Sequence, residues 1–347
     1  MNAWNAGHLA MDAVWEAEIG PILWFQGLGD WLAHPFGAIT ELGSLTFTIL
    51  LMAVVFWCVH PGTGARLFAV VVTSGVLNFL LKALFYGARP SWYSAHVTRH
   101  VAESSFGMPS GHAQNSTVLW GYLGVRSGRR AWLWAAAGLV LLICLSRIHL
   151  GAHFPSDVLV GVLLGAALLW AALRWEDRIL AWWRGLDTPR WAGLAVAASV
   201  LPCVAATLWH HLVRGDWTVP AEWIGAVPTD PAGATLTDLY GVCGALLGGL
   251  VGFTLLVGRG WYGADGTLLS RAARFALGIS GVLCVQVVLD VLTVRADGLA
   301  EAVASFAAYA LIAFWASFGA PELFVRSGLA ERPEAAGQGA DENTERG

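Results

Sequence analysis

Charge is scarce in this chain. Only 13% of its 347 residues are Asp, Glu, Lys or Arg, against about 25% in an ordinary soluble domain, so its apolar surface cannot be hidden inside one water-facing globule. Lysine is nearly missing, Lys82 being the single one among 20 basic residues. A net charge of −4 is too small to draw nucleic acid or a strongly acidic partner. The five cysteines, Cys58, Cys144, Cys203, Cys243 and Cys284, show no C-x-x-C or other metal-ligand spacing and read as reduced packing residues. No basic stretch followed by an apolar core opens the sequence, so insertion is expected to rely on later spans.

Long apolar runs are plentiful. Apolar residues make up 56% of the chain and the mean hydropathy is +0.60. Runs of the roughly 20 residues that cross a bilayer recur along nearly the whole length, and many of the 19 Trp sit near their ends, as interfacial anchors do. The pattern predicts an all-α, polytopic transmembrane bundle of about nine helices: Leu42–His60, Leu67–Tyr86, Ser110–Val125, Ala131–Leu150, Ser156–Leu173, Trp191–Leu212, Leu236–Val257, Phe275–Val294 and Leu299–Ala316. Residues 1–40, interrupted by Pro21 and Pro35, are expected to lie along the interface as short amphipathic pieces. Residues 326–347 are polar and are expected to form a disordered tail.

If the helices alternate, Arg66, Arg126, Arg129, Arg130, Arg174, Arg178, Arg184, Arg190, Arg259, Arg271, Arg274, Arg326, Arg332 and Arg346 share one side, which is 14 of the 20 basic residues. The positive-inside rule makes that side cytoplasmic, with the N-terminus exoplasmic and the C-terminus cytoplasmic. Lys82, Arg89, Arg99, Arg147, Arg214 and Arg295 fall on the other side, and three of these six belong to a chemical pattern.

That pattern has three parts: Lys82 with Arg89-Pro90 at the end of the second helix, Pro109-Ser110-Gly111-His112 opening the third, and Ser146-Arg147, His153 and Asp157 between the fourth and fifth. Helix alternation brings all three to one face. Lys82 near a helix end is costly unless paired or wet. Arg89 and Arg147 offer planar forks suited to phosphate oxygens. Ser110 and Gly111 stand at a helix N-terminus, where backbone N–H groups favour an anion, and Gly111 lets the backbone come close. His153 and Asp157, four residues apart, suit a nucleophile whose tautomer is fixed by a carboxylate. His112 then suits the general acid that protonates the leaving oxygen and later activates water. Such a site would work through a phosphohistidine, with no cofactor and no metal, the cations supplying the charge a metal would give. A lone His or Arg at a helix end is more often a capping or snorkelling group; the ordered joint occurrence on one face, with the sole lysine, is what points to chemistry.

Lys-x6-Arg-Pro, Pro-Ser-Gly-His and Ser-Arg-x5-His-x3-Asp together resemble the signature of the type 2 phosphatidic acid phosphatase superfamily, which also contains vanadium haloperoxidases. The resemblance covers roughly residues 40–176 and implies His153 as nucleophile, Asp157 as its relay and His112 as acid. It assigns phosphate binding to Lys82, Arg89, Ser110, Gly111 and Arg147, with Pro90, Pro109 and Ser146 as structural members of the motif. Residues 41–176 would then be the catalytic core, 177–325 a transmembrane extension, and 326–347 a cytoplasmic tail. The longer layout resembles the glucose-6-phosphatase catalytic subunit, and Phe85–Trp92, Cys144–Ile148 and Ala152–Pro155 look similar to segments of it. Asp157, by contrast, follows the general superfamily, since the glucose-6-phosphatases lack an acid there.

Two substrate classes stay open on these grounds, a phosphorylated lipid entering from the bilayer and a soluble sugar phosphate entering from water. A transporter or scaffold that kept the cradle for binding is a third reading, although binding alone needs neither nucleophile nor relay. In the distal half, Asp290 within the eighth span is expected to pair with a neighbouring helix. Glu222, Trp223, Asp230 and Asp238 lie in or near an outside loop able to cover the pocket. Heavy Ala, Gly and Arg use with one lysine fits a bacterium with a GC-rich genome, hence an inner membrane with the site facing the periplasm.

Overall fold

The computed structural model describes the backbone of residues 3–215, 217–293 and 298–333, and the side chains of these except residues 3–10 and 289–293. Among the described residues there are helices and no strands. The helices are α1 (Ala3–Gln26), α2 (Ala33–Glu41), α3 (Leu45–Val54), α4 (Pro61–Phe85), α5 (Pro90–Tyr93), α6 (Gly111–Arg126), α7 (Arg130–His149), α8 (Pro155–Arg184), α9 (Thr188–Val213), α10 (Pro231–Gly258), α11 (Leu268–Thr293), α12 (Gly298–Phe314) and α13 (Ala320–Arg326).

The nine predicted spans appear as helices wherever they are described, and among the described residues eight stretches are long and apolar enough to cross a membrane. The exception is α6, with 16 residues. Its first turns carry His112, Gln114, Asn115, Ser116 and Thr117, because this helix turns a polar face towards the site rather than towards lipid. Gln114 donates to the Ser74 carbonyl (2.9 Å) and accepts from Asn78 (2.9 Å), whose amide also donates to the Pro109 carbonyl (3.2 Å). This buried network ties α6 to α4 within the apolar layer.

Close approach of α8 to α6 requires glycine. A Cβ at Gly161 would lie 2.6 Å from the Ser110 carbonyl oxygen, and one at Gly165 would lie 2.6 Å from that of Gln114. Small residues at such crossings let backbones meet where lipid provides no hydrophobic drive. On the distal side, α10 packs on α12 in the same way, with Gly244 and Gly248 against the backbone of Phe306 and Ala310.

The N-terminal region differs from the short pieces expected. Residues 3–26 form one helix that runs through Pro21, although an interior proline costs about 3 kcal/mol. Tertiary contacts outweigh that cost. Trp15 and Ile22 are buried, Glu18 accepts from the N–H and hydroxyl of Ser156 at 2.9 and 2.8 Å, and Gln26 donates to the carbonyls of Thr98 and His149, both at 2.8 Å. At the other end, Ala330 is buried and Arg332 pairs with Glu322 at 2.6 Å. The expected tail beyond residue 333 and the side chain of Asp290 lie outside the described residues.

Candidate active site

The site is assembled at one end of α4, α6, α7 and α8. Helix α4 stops at Tyr86, which takes the left-handed conformation at φ 56° and so turns the chain sharply. Lys82 sits one turn before that stop and Arg89 just after it. The loop between α5 and α6 then lies across both. Lys82 Nζ donates to the Phe106 carbonyl and, at 3.5 Å, to that of Gly107. Arg89 donates from Nε to the Ser105 carbonyl (2.7 Å), and from its two terminal nitrogens to the carbonyls of Ala152 (3.0 Å) and Phe106 (3.1 Å). Both cations are buried and held by backbone oxygens.

The end of α7 supplies Arg147, and the turn into α8 supplies His153 and Asp157. Arg147 donates to the Thr40 hydroxyl (3.2 Å) and pairs with Glu103, while its buried Nε has no partner among the described residues. His153 is buried between two groups: its Nδ1 lies 3.4 Å from Asp157 Oδ2, and its Nε2 lies 3.2 Å from a terminal nitrogen of Arg89. Asp157 Oδ2 also accepts from the Phe154 N–H (3.1 Å). Burial, followed by the charges of Arg89 and Lys82, holds the His153 imidazole well below the ordinary histidine range.

The Pro-Ser-Gly-His segment closes the arrangement. The Ser110 hydroxyl caps α6 by accepting from the Ala113 N–H (3.4 Å), and its own N–H donates to the Asp157 carbonyl (3.0 Å). The Ser110 hydroxyl accepts in this contact and keeps its own O–H free to donate, and the N–H groups of Gly111 and His112 are first-turn donors without an intrahelical acceptor. Gly111 is packed against Asn78, where a Cβ would lie 3.1 Å from the amide oxygen. His112 is half-buried and within electrostatic reach of Glu103, Arg147 and His153. Pro90 and Ser146 are buried, the Ser146 hydroxyl donating to the Ile143 carbonyl at 2.6 Å.

The structure therefore brings Lys82, Arg89, Arg147, His112, His153 and Asp157 together, and adds a residue the motif does not contain. Glu103 lies where the two guanidinium groups converge, pairing with Arg147 and standing 3.7 Å from Arg89. Burial alone would raise its carboxyl, but Arg89, Arg147, His112 and Lys82 outweigh that and hold it at about 2. One signal in the sequence marks it: Glu103 is the only acidic residue between Arg89 and Asp157. Aromatic rings roof this end. Trp15 stacks on Phe154 (5.7 Å between centroids), and Trp223, from the 214–230 loop, meets Trp15 at 6.4 Å and Trp92 at 6.1 Å. That loop is fastened by the Gly225 and Ala226 N–H groups on the carbonyls of Trp92 (2.8 Å) and Ser91 (2.9 Å). No group of three or more His, Cys, Asp or Glu suited to a metal occurs among the described residues.

Comparison with known proteins gives a consistent set. Residues 63–180 match the model of the PAP2 superfamily, and residues 240–332 match that of the PAP2 superfamily phosphatase transmembrane extension. Glucose-6-phosphatase catalytic subunit 1 of Haplochromis nubilus is 27% identical over 179 residues, which are 41% of this chain and 51% of that protein. Phosphatidylglycerophosphatase B of Bacillus subtilis is 29% identical over 162 residues, 43% of this chain and 77% of that one. Glucose-6-phosphatase 3 of Mus musculus is 32% identical over 179 residues, 43% of this chain and 51% of that one. The chain spans about half the length of the glucose-6-phosphatases it matches. Among solved structures, that of a transmembrane PAP2-type phosphatidylglycerolphosphate phosphatase from Bacillus subtilis aligns with a TM-score of 0.40 and 27% identity, over 50% of this chain and 88% of that one.

Proposed function

Because the chain is built from a PAP2 superfamily domain and a PAP2 superfamily phosphatase transmembrane extension, we propose that it is an integral-membrane phosphatase acting on a phosphomonoester or diphosphate of a lipid or a sugar. The observation that carries this reading is the placement of His153 between Asp157 and Arg89. Arginine can only donate, so Nε2 is the nitrogen with the lone pair and Nδ1 carries the hydrogen, directed at Asp157.

In the first step Nε2 attacks phosphorus, and the bond from phosphorus to the ester oxygen breaks. The electron pair leaves with that oxygen, which takes a proton from His112. In the second step water attacks the phosphohistidine, gives a proton to His112, and the phosphorus–nitrogen bond breaks to restore Nε2. Arg147 and the first-turn N–H groups of α6 stabilise charge developing on the phosphoryl oxygens, while Lys82 and Arg89 add fixed positive charge behind them. Protein cations take the place a metal would fill, so turnover should survive EDTA. The gathering of 14 of the 20 basic residues on the opposite side supports a site facing the periplasm or lumen.

Phosphate release by detergent-purified protein tests the reading. The panel holds phosphatidate, phosphatidylglycerophosphate, undecaprenyl diphosphate and glucose 6-phosphate, each beside the His153→Ala variant. Release that falls by at least about 10³-fold in the variant is expected. Equal release by both proteins would sink the assignment of the nucleophile. The relatives' names supply both a lipid and a sugar substrate, and the panel decides between them here.

A further inference from the structure

Helix α10 reaches the site from outside the motif-bearing half. Its Thr235 hydroxyl accepts from the Phe106 N–H at 3.2 Å, and the Phe106 carbonyl is the oxygen that holds Lys82 and Arg89. Asp238 stands three residues further on, on the same helix face. Its charge acts on Lys82, Arg89 and Glu103. Unlike Asp157 and Glu103, whose oxygens meet His153, Phe154, Arg147 and Arg89, Asp238 is surrounded by protein yet keeps accessible surface, and it makes no hydrogen bond or ion pair among the described residues. It lies eight residues into a helix apolar enough to span, where a carboxylate is costly unless cations stand near it, as Lys82 and Arg89 do here.

We infer that Asp238 is a specificity-determining residue, accepting a hydrogen bond from a hydroxyl on the alcohol part of the substrate. A carboxylate near a phosphate site repels the phosphate. That repulsion is offset when the ligand brings a donor, because a hydroxyl bonded to a carboxylate is a strong, charge-assisted contact. Alkyl phosphates bring no such donor, whereas polyol phosphates do. The inference rests on the phosphatase reading above and narrows it to hydroxylated phosphomonoesters. The hydroxyl can belong to a lipid headgroup or to a free polyol phosphate, which share this chemistry.

Two matched substrate pairs test it on the full-length protein in detergent. The lipid pair is 1-acylglycerol 3-phosphate and its 2-deoxy analogue, and the soluble pair is glycerol 3-phosphate and propyl phosphate. Wild-type protein should prefer the hydroxylated member of at least one pair by about tenfold in kcat/KM. The pair that shows the preference identifies the source. In Asp238→Ala the ratio should collapse to about one, and in Asp238→Asn, which keeps an acceptor oxygen without the charge, it should lie between. Thermal unfolding of both variants separates a lost contact from a lost fold, and Asp238→Asn carries the test if the alanine variant is not folded. A wild-type ratio near one in both pairs overturns the inference alone. So does a ratio unchanged by the substitutions, including a uniform loss on all four compounds. No turnover of these four compounds by wild-type protein that hydrolyses a member of the panel above overturns the inference alone, and no turnover of any compound in either set by folded protein removes the phosphatase reading and this inference together.

Discussion

His153 Nε2 and a terminal nitrogen of Arg89 lie 3.2 Å apart, with Asp157 on the opposite side of the same ring. The arrangement fixes the tautomer, and it sets the sign of the pH dependence. Burial and the neighbouring cations depress the histidine below its usual 6.5. The neutral, nucleophilic form therefore persists as the pH falls through 6.5 and is lost only at more acid values. With a leaving group that needs no protonation and with substrate ionisation divided out, kcat/KM should stay level from about pH 7 to pH 6 and decline only at more acid values. An acid limb centred near 6.5 under these conditions would show that the ring is not held neutral.

Arg89 uses its whole fork. Its contacts to Ser105, Ala152, Phe106 and His153 come from three different nitrogens in one plane, a geometry that the single nitrogen of lysine cannot reproduce. Arg89→Lys keeps the charge and should still lower kcat/KM by about 10²-fold or more. Guanidine added to Arg89→Ala should restore part of the rate. A near-wild-type Arg89→Lys enzyme would mean that charge alone matters at this position.

These two residues were legible from the sequence, because fixed spacings around helix ends place them. Lys82, Arg89, His153 and Asp157 are near neighbours in the chain of a helix stop or start, and helix alternation puts those ends on one face. Glu103, Thr40 and Asp238 were not assigned roles at the phosphate site. Each reaches it from a loop or a helix whose position depends on tertiary packing, and no local periodicity encodes such a contact. Helix α1 shows the limit most plainly. Gly20-Pro21 reads locally as a break, yet the stripe of Met11, Trp15, Ile19 and Ile22 packs over the site and keeps the helix whole.

Helix α1 holds the catalytic turn through Glu18, whose two oxygens accept from the N–H and hydroxyl of Ser156, next to Asp157. A carboxylate there also suits the positive end of α8. Glu18→Ala should lower stability by about 1–2 kcal/mol and reduce kcat more than it raises KM, since the turn bearing His153 and Asp157 loses its support. Unfolding temperature, kcat and KM measured separately on the same preparation check this. A variant that is less stable but has unchanged kcat would make the contact purely structural.

Glu103 offers the sharpest linked test, because one carboxylate serves two buried guanidinium groups. Its folded-state pKa is depressed to about 2 from 4.5, so the stability it contributes is fully present above about 4.5 and is lost as the pH falls towards 2. Glu103→Gln should cost on the order of 1–3 kcal/mol near neutral pH, with the gap to wild type narrowing as the pH is taken below 4.5. The same substitution removes an anion that competes for Arg89 and Arg147, so vanadate, which mimics pentacoordinate phosphorus, should inhibit the variant at lower concentration than it inhibits wild type. A stability gap independent of pH would place the effect in packing rather than charge. An unchanged vanadate constant would show that the carboxylate and the transferred phosphoryl group do not share the arginines.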